Sequence, residues 1–492
     1  MRARAALLAA TFLVFGERAL GGNGALPIAN SPEAAGRGGA QIAVPDEASS
    51  VAVNPAGLAL LDRGRIDLGL GFYFTRSSYL DSRNDGRSED LFPTPAPLVA
   101  FAMPFELGEE ESLGVGIALH PIGGGNSLAE FRTAAYPEGE RERSSLTLLG
   151  LTAGVSVKML PRISLGMGLT AIYASLDQAG VTGGGNTSNG TVRNFSNGQL
   201  VPGNFLVNGQ SLSWGQLLDS VRAPDTFATS RISIAGAKGF GASGLLGAVI
   251  DVVDGLSIGL TYRTPGWLSH LDGKAYLDAS QSAAAGSTAL NQIQSSFLAN
   301  HLPDGGRGLA SRYDISVGGL RVPQAAGIGI AGWPCEQILL ALDVQWIGWS
   351  TAFDEVSIDL HHGTSRDILE ITSNQASSSI HSKVLYHWRD QLVVAAGAAV
   401  SPLDWLVLRA GYNWGSNPVP SRTENPFVSA TVEHHLTLGV GFRFGDFSID
   451  LAYIHAFVKA TTIEESVSHS EWSGMRHKAD QDAILIGGAY RF

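Results

Sequence analysis

The sequence predicts an all-β protein, a 14-stranded antiparallel transmembrane β-barrel. Three observations predict it. The chain ends Ala483-Ile-Leu-Ile-Gly-Gly-Ala-Tyr-Arg-Phe492, an alternating strand that closes on an aromatic. Such a strand at the end of a soluble chain would fray in water, whereas the last strand of an outer-membrane barrel pairs with the first and meets lipid. Period-two segments recur along the chain, and their connections alternate between short and long, as short periplasmic turns and long outer loops do. No stretch is long and apolar enough for a membrane helix; the longest apolar runs, near 146–157 and 391–403, are strand-like. A membrane protein without membrane helices has to be a closed barrel, because only a closed sheet satisfies its backbone in lipid.

The strands follow in order. Ile66, Leu68, Leu70, Phe72 and Phe74 share one face, with Asp67, Gly69, Gly71 and Thr75 opposite. Leu113, Val115, Ile117 and Leu119 oppose Gly114, Gly116 and Ala118, and Ile163, Leu165, Met167 and Leu169 oppose Ser164, Gly166, Gly168 and Thr170. The pattern returns at 256–263, 338–346, 436–444 and 447–453. Period two with one apolar face marks half-buried strands, in a sandwich as well as in a barrel. Here the second face is rich in Gly, Ala and Ser, which suits a lumen that holds something else. Strand starts fall near 65, 95, 112, 145, 162, 229, 256, 313, 337, 381, 403, 431, 446 and 483. Short turns lie near 106–111, 160–161, 253–255, 333–336, 401–403 and 445. Long loops occupy 79–94, 121–144, 178–229, 278–312, 359–380, 415–430 and 461–481. This alternation separates a barrel from a sandwich.

Residues 1–24 read as a signal peptide: Arg2 and Arg4, the apolar 5–15, then small residues. Residues 25–62 are not strand-like and contain little that folds alone, so they are either a periplasmic tail or a plug; the barrel occupies 63–492. Cys335 is the single cysteine, a turn residue without an intramolecular disulfide partner. A net charge of −12 argues against nucleic acid.

Two outer loops are apolar. The third contains Phe195, Phe205, Leu206, Leu212, Trp214, Leu217 and Leu218, with a helical face over 213–221. The fourth presents Leu290, Ile293 and Phe297 at helical spacing. Such faces either pack on each other or enclose a ligand between them. The third strand runs into Pro121, then Gly123-Gly124-Gly125, which is either an ordinary strand end or a bend that opens the wall. Arg263, Arg409 and Arg443 lie on lumen faces, where they either attract a carboxylate or pair with Asp67, Asp343 or Asp450.

Asp46-Glu-Ala-Ser-Ser-Val-Ala-Val-Asn54-Pro55-Ala56-Gly57 resembles the N-terminal signature of the FadL/TodX (OmpP1) outer-membrane transport family, whose members move long-chain fatty acids or aromatic hydrocarbons. Tyr262-Arg263-Thr264-Pro265, Leu320-Arg-Val-Pro323, Asp343-Val-Gln-Trp-Ile-Gly-Trp349-Ser350 and Leu408-Arg-Ala-Gly-Tyr412 with Pro418 extend the resemblance over most of the chain. It implies a barrel with an N-terminal hatch (plug) in its lumen. Ligand is captured between the third and fourth outer loops, the hatch rearranges, and ligand leaves sideways near the third strand. In that scheme Phe195, Phe205, Trp214, Leu217, Leu218, Leu290, Ile293 and Phe297 bind ligand. Asn54, Pro55, Ala56, Pro121, Gly123 and Gly124 belong to the hatch and gate. By residues alone, Asn54-Pro55 is equally a turn.

No enzyme chemistry is legible. Gly327-Ile-Gly-Ile-Ala-Gly332 matches a nucleotide loop, but it lies in a strand with Pro334 where a helix should begin. His361-His362 and His434-His435 point to opposite faces of their strands and cannot share a metal. No nucleophile elbow occurs. The expectation is a passive channel for hydrophobic molecules, without cofactor or metal. Its expected partners are a hydrophobic ligand, outer-membrane lipid, lipopolysaccharide and the barrel assembly machinery, and its expected state is a monomer. A general porin and a lipid-processing outer-membrane enzyme are the alternatives.

Overall fold

Each strand of the computed structural model hydrogen-bonds antiparallel to the next, and the last closes on the first. The structure describes residues 22–88, 94–108, 111–132, 136–183, 204–207, 210–213, 229–278, 304, 310–367, 379–424, 430–466 and 472–492. The fourteen strands are β1 Arg65–Leu80, β2 Thr94–Glu106, β3 Ser112–Phe131, β4 Glu140–Leu160, β5 Ile163–Gly183 and β6 Thr229–Val253. After them come β7 (Leu256–Arg263 and Leu271–Asp278), β8 (Ala310–Gly318 and Gln324–Cys335), β9 (Ile338–Gly348 and Glu355–His361) and β10 (Ile380–Leu385 and Gln391–Leu403). The barrel ends with β11 Leu406–Gly415, β12 His434–Phe444, β13 Phe447–Thr462 and β14 Arg476–Arg491. Among the described residues no helix is long and apolar enough to cross a membrane.

The closing ladder runs from Arg65↔Arg491 to Leu80↔Arg476. The Phe492 N–H donates to the Gly64 carbonyl at 2.9 Å, and its ring stacks beside Phe101 and Tyr490. Alternation sorts β14 into two environments: Ile484 and Ile486 are 42% and 47% exposed outward, while Leu485 between them is 2% exposed toward the lumen. Equally apolar residues on both faces need two different apolar surroundings. The outer one is lipid, since so many exposed large apolar side chains would aggregate in water.

Several strands run further than alternation predicts. β3 continues through Pro121 to Phe131 and β4 begins at Glu140, so most of 121–144 is wall rather than loop. β5 reaches Gly183, and β14 begins at Arg476 rather than near 483. The reason is visible on β14, where Arg476, Lys478, Asp480 and Asp482 continue the outward face of Ile484 above the apolar belt. The strand continues there, but its outward residues meet water and headgroups and lose the apolar signal.

Candidate functional site

Residues 22–60 pack against inward-facing residues of the wall. Ser31 caps the short helix α1, Pro32–Gly36, its Oγ accepting from the Ala34 N–H at 3.1 Å, and Pro32 starts it without a donor to waste. Ala34 and Ala35 are fully buried against Tyr73, Ala452, Ile454 and Leu485 of the wall. Pro55–Leu60 forms a 3-10 turn capped by Asn54, whose Oδ1 accepts from the Ala56 N–H at 3.2 Å. The Asn54 Nδ2 donates both to the Ile42 carbonyl at 2.8 Å and to the Ala248 carbonyl of β6 at 3.1 Å. One amide therefore caps a turn, ties two parts of the segment together and holds both to the wall.

The Gly-rich lumen faces now have a cause. A Cβ on Gly166 would lie 2.4 Å from the Ala56 nitrogen, on Gly259 2.3 Å from the Ile42 oxygen, and on Gly397 2.2 Å from the Arg37 oxygen. Gly114 and Gly411 are equally tight against Leu58 and Gly38. Glycine lets the segment's backbone approach the wall closely on many strands.

Charges fix one side of this segment. Arg65 of β1 holds Glu33 and Asp67, each at 2.5 Å, and its guanidinium also donates to the Asp46 carbonyl at 2.5 Å. Arg37 holds Asp46 at 2.8 Å and Glu47 at 3.3 Å. Arg409 of β11 holds Asp450 of β13 at 2.7 Å and Glu33 at 3.4 Å. Asp67 also accepts from the Ala48 and Ser49 N–H groups, and Asp343 of β9 from those of Gln41 and Ile42 at 2.7 and 2.9 Å. Burial pushes Glu33 up, but Arg65, Arg409 and Arg37 outweigh it and hold the carboxyl at about 2. Burial, with Glu33 and Asp46 beside it, pushes Glu47 up to about 8 in spite of Arg37. Glu33, Asp46 and Glu47 converge closely enough for a cation, but the guanidiniums already occupy their neighbourhood.

The other side is different. The β2–β3 ladder stops at Val99↔Leu119, and beyond it β3 pairs only with β4 among the described residues. Ile122 is the extra residue of a bulge between Pro121 and Gly123, and His120, Pro121, Ile122, Gly123 and Gly124 are all buried, so alternation fails there. The bulge turns toward the N-terminal segment. The Gly124 N–H donates to the Ala25 carbonyl at 3.0 Å, and a Cβ on Gly123 would lie 2.5 Å from that oxygen. Gly124 has φ +145°, a backbone that glycine tolerates best. Ile122 packs with Leu26 and Leu148. The His120 Nε2 meets the Thr152 hydroxyl at 2.9 Å, and the Asn30 amide donates to its Nδ1 at 3.3 Å. A cavity of about 110 Å³ lies between the segment and the wall here, lined by Asn30, Ile42, His120, Ile122, Arg263 and Gln345 among others.

The structure thus brings Asn54, Pro55 and Ala56 against β5 and β6, and Pro121, Gly123 and Gly124 against residues 25–26. Arg263 lines the cavity. Arg409 is committed to Asp450 and Glu33, which removes it as a free carboxylate contact. Arg443 is exposed near the Gly445 turn, away from the cavity. Asp67 pairs with Arg65, and Asp343 serves backbone N–H groups, so of the expected arginine partners only Asp450 is used as such. Phe205 belongs to a small hairpin, Asn204–Val207 with Gln210–Ser213, so Ser213 is in a strand rather than a helix. Phe195, Trp214, Leu217, Leu218, Leu290, Ile293 and Phe297 lie outside the described residues, as do residues 1–21 of the signal segment. Sequence reasoning missed Glu33, Arg37, Glu47, Arg65 and His120. The signal available was the presence of four charges, Glu33, Arg37, Asp46 and Glu47, within the fifteen residues 33–47.

The family model described as outer membrane protein transport protein (OMPP1/FadL/TodX) matches residues 28–492. No curated protein matches the chain by sequence. Among solved structures, the Pseudomonas putida toluene transporter TodX superposes with a TM-score of 0.66 at 17% identity, covering 97% of this chain and 100% of its own. The Ralstonia pickettii toluene transporter TbuX gives 0.64 at 18%, covering 94% and 98%. A Pseudomonas aeruginosa FadL homologue gives 0.67 at 16%, covering 95% and 100%. These likenesses show the fold.

Proposed function

The chain belongs to the OMPP1/FadL/TodX family of outer-membrane transport proteins, and from that premise we propose that it passively carries hydrophobic molecules through the Gram-negative outer membrane. Long-chain fatty acids are the default cargo and aromatic hydrocarbons the second; two of the similar structures are named toluene transporters. The apolar third and fourth outer loops capture the molecule. Residues 25–62 act as the hatch, and their rearrangement admits it to the lumen. It leaves sideways between β2 and β3. The chain works as a monomer, is given no catalytic role, and offers Phe492 to the assembly machinery and its outer belt to lipid and lipopolysaccharide.

One observation carries this reading: the wall ladder stops at Leu119, and the bulge beside it is bonded to the N-terminal segment through Gly124 and Ala25. A weakness in the wall and the part that fills the lumen meet at one place. A change of the segment's position therefore acts on the opening without a long relay. Hydrophobic cargo also has reason to leave sideways, since lipid lies there while the periplasmic end is aqueous.

Deleting Ile122 removes the extra residue and restores the register of β3. We expect cells carrying this variant to lose uptake of labelled oleate and toluene while the barrel still assembles. Unchanged uptake contradicts lateral exit. Rapid swelling of liposomes in small sugars by the intact protein contradicts the hydrophobic channel and favours a general porin.

A further inference from the structure

We infer that the outward face of β14, β1, β3 and β4, above the apolar belt, is a docking site for the phosphate groups of lipopolysaccharide. This goes beyond the transport reading and does not depend on what the channel carries. It rests on the barrel and its compartment alone.

On β14 the outward residues above Ile484 are Asp482, Asp480, Lys478 and Arg476. Arg76 of β1 stands opposite Asp480 in the ladder and takes both acids, its Nε donating to Asp480 at 2.7 Å and its Nη2 to Asp482 at 2.6 Å. Lys478 and Arg476 lie past those acids, exposed, opposite Ser78 and Leu80. The same spacing recurs on β4. Arg141 and Arg143 alternate with the buried Glu142 and point outward, opposite Glu130 and Leu128 of β3, and the exposed Arg132 follows β3. The two halves form one surface. Asp85–Ser88 pairs with the upper end of β1, and the neighbouring Asn84 side chain bonds to the Arg132 N–H and carbonyl at 2.8 and 3.0 Å.

The lack of partners for these cations carries the inference. Among the described residues no acid reaches Arg132, Arg141, Arg143, Arg476 or Lys478. The upper parts of β7–β10, on another side of the rim, are matched: Lys274 and His362 meet Asp314, Lys383 meets Glu355, and His381 meets Asp359. A chain of net charge −12 thus gathers unmatched cations on one face. Like charges two positions apart on a strand lie ~7 Å from each other and repel. A phosphate set between them removes that cost and accepts several charge-assisted hydrogen bonds.

Height selects the source of the phosphate. Ile484 and Leu151, 42% and 47% exposed, belong to the apolar belt of β14 and β4, and Lys478 and Arg143 stand six and eight positions above them. At ~3.4 Å per residue and a tilt of ~40°, that is roughly 15–20 Å toward the outside. A phospholipid head layer is only about 5–8 Å deep. Lipopolysaccharide carries phosphates on a sugar head that rises above this layer, so its anions reach these side chains while its acyl chains lie along Ile484 and Ile486.

The test is native mass spectrometry of the full-length protein in mild detergent with three lipids. They are a rough lipopolysaccharide with a phosphorylated core, the same molecule after dephosphorylation, and phosphatidylglycerol. The wild type is expected to bind the first about tenfold or more tightly than the other two, the effect of one charge-assisted hydrogen bond. Arg476→Gln with Lys478→Gln should lose part of this preference, as should Arg141→Gln with Arg143→Gln. All four together should bring the ratio close to one, and Lys274→Gln should leave it unchanged. Heat-modifiable migration on gels checks that each variant keeps its barrel. A wild-type ratio of one overturns the inference, as does a preference that survives the four substitutions. Phosphatidylglycerol bound as tightly as the phosphorylated lipopolysaccharide overturns it too, by making the face a site for any anionic lipid. Each of these results leaves the channel reading standing.

Discussion

The N-terminal segment meets the barrel on two sides by different means. Toward β1 and β11 it is fixed by the buried ion pairs of Glu33 with Arg65 and Arg409, and by the Asp46 carbonyl, which accepts from Arg65. The first half of β3 is packed on Leu58 and bonded to the Ala59 carbonyl, but at the bulge the segment meets β3 only through one backbone hydrogen bond, the long Asn30–His120 contact, the apolar pair Leu26 and Ile122, and a cavity. A buried ion pair is costly to break, because a partner is left charged and unpaired. An apolar contact beside a cavity has room to rearrange. Under the proposed reading of this segment as a hatch, the contrast gives holding to one side and movement to the other.

The largest effect that sharpens this contrast is expected from Arg65→Met. It leaves Glu33 and Asp67 without their main cation, and removing one partner of a buried pair costs about 3–5 kcal/mol. Single-channel recordings in planar bilayers should then show frequent openings of large conductance. A quiet channel would mean that the ion pairs do not hold the segment.

The next is pH. Glu47 lies at about 8, above its ordinary 4.5, so it adds stability that is fully present below 4.5 and lost as pH rises toward 8. Glu33 lies at about 2, below its ordinary 4.5, so its contribution is present above 4.5 and lost as pH falls toward 2. Docking is therefore tightest near pH 4.5, and open-channel events should increase from there to pH 8. Glu47→Gln should flatten that rise and leave the acid limb. A rise unaffected by Glu47→Gln would assign the effect to another group.

Asn54→Ala comes third, at about 2 kcal/mol for two buried hydrogen bonds and a cap. Limited proteolysis should reach residues 42–60 sooner. The smallest effect is expected from Asn30→Ala, which removes one long contact to His120 on the movable side and costs less than about 1 kcal/mol. Conductance should not change. A change as large as that from Arg65→Met would reverse the assignment of the two sides.

Much of the fold was legible because lipid imposes alternation: Ile484 and Ile486 advertise the outward face of β14, and short turns such as Gly445 mark its neighbours. Legibility fails where the solvent changes, as at Asp480 and Asp482, and where a strand leaves the barrel plane, as at Ile122. Asn54 stood out because Asx-Pro is a local signal. The ion network did not, because Glu33 and Arg409 are far apart in sequence and nothing local shows that they meet. Arg263 and Arg409 look alike on their strands, and only the positions of Glu33 and Asp450 separate them.

Hydrogen–deuterium exchange in lipid nanodiscs tests the division of the segment most directly. The account predicts fast exchange at residues 22–31, further changed by added cargo, and slow, cargo-independent exchange at 46–60. Equal protection of both stretches, or faster exchange at 46–60, would contradict it.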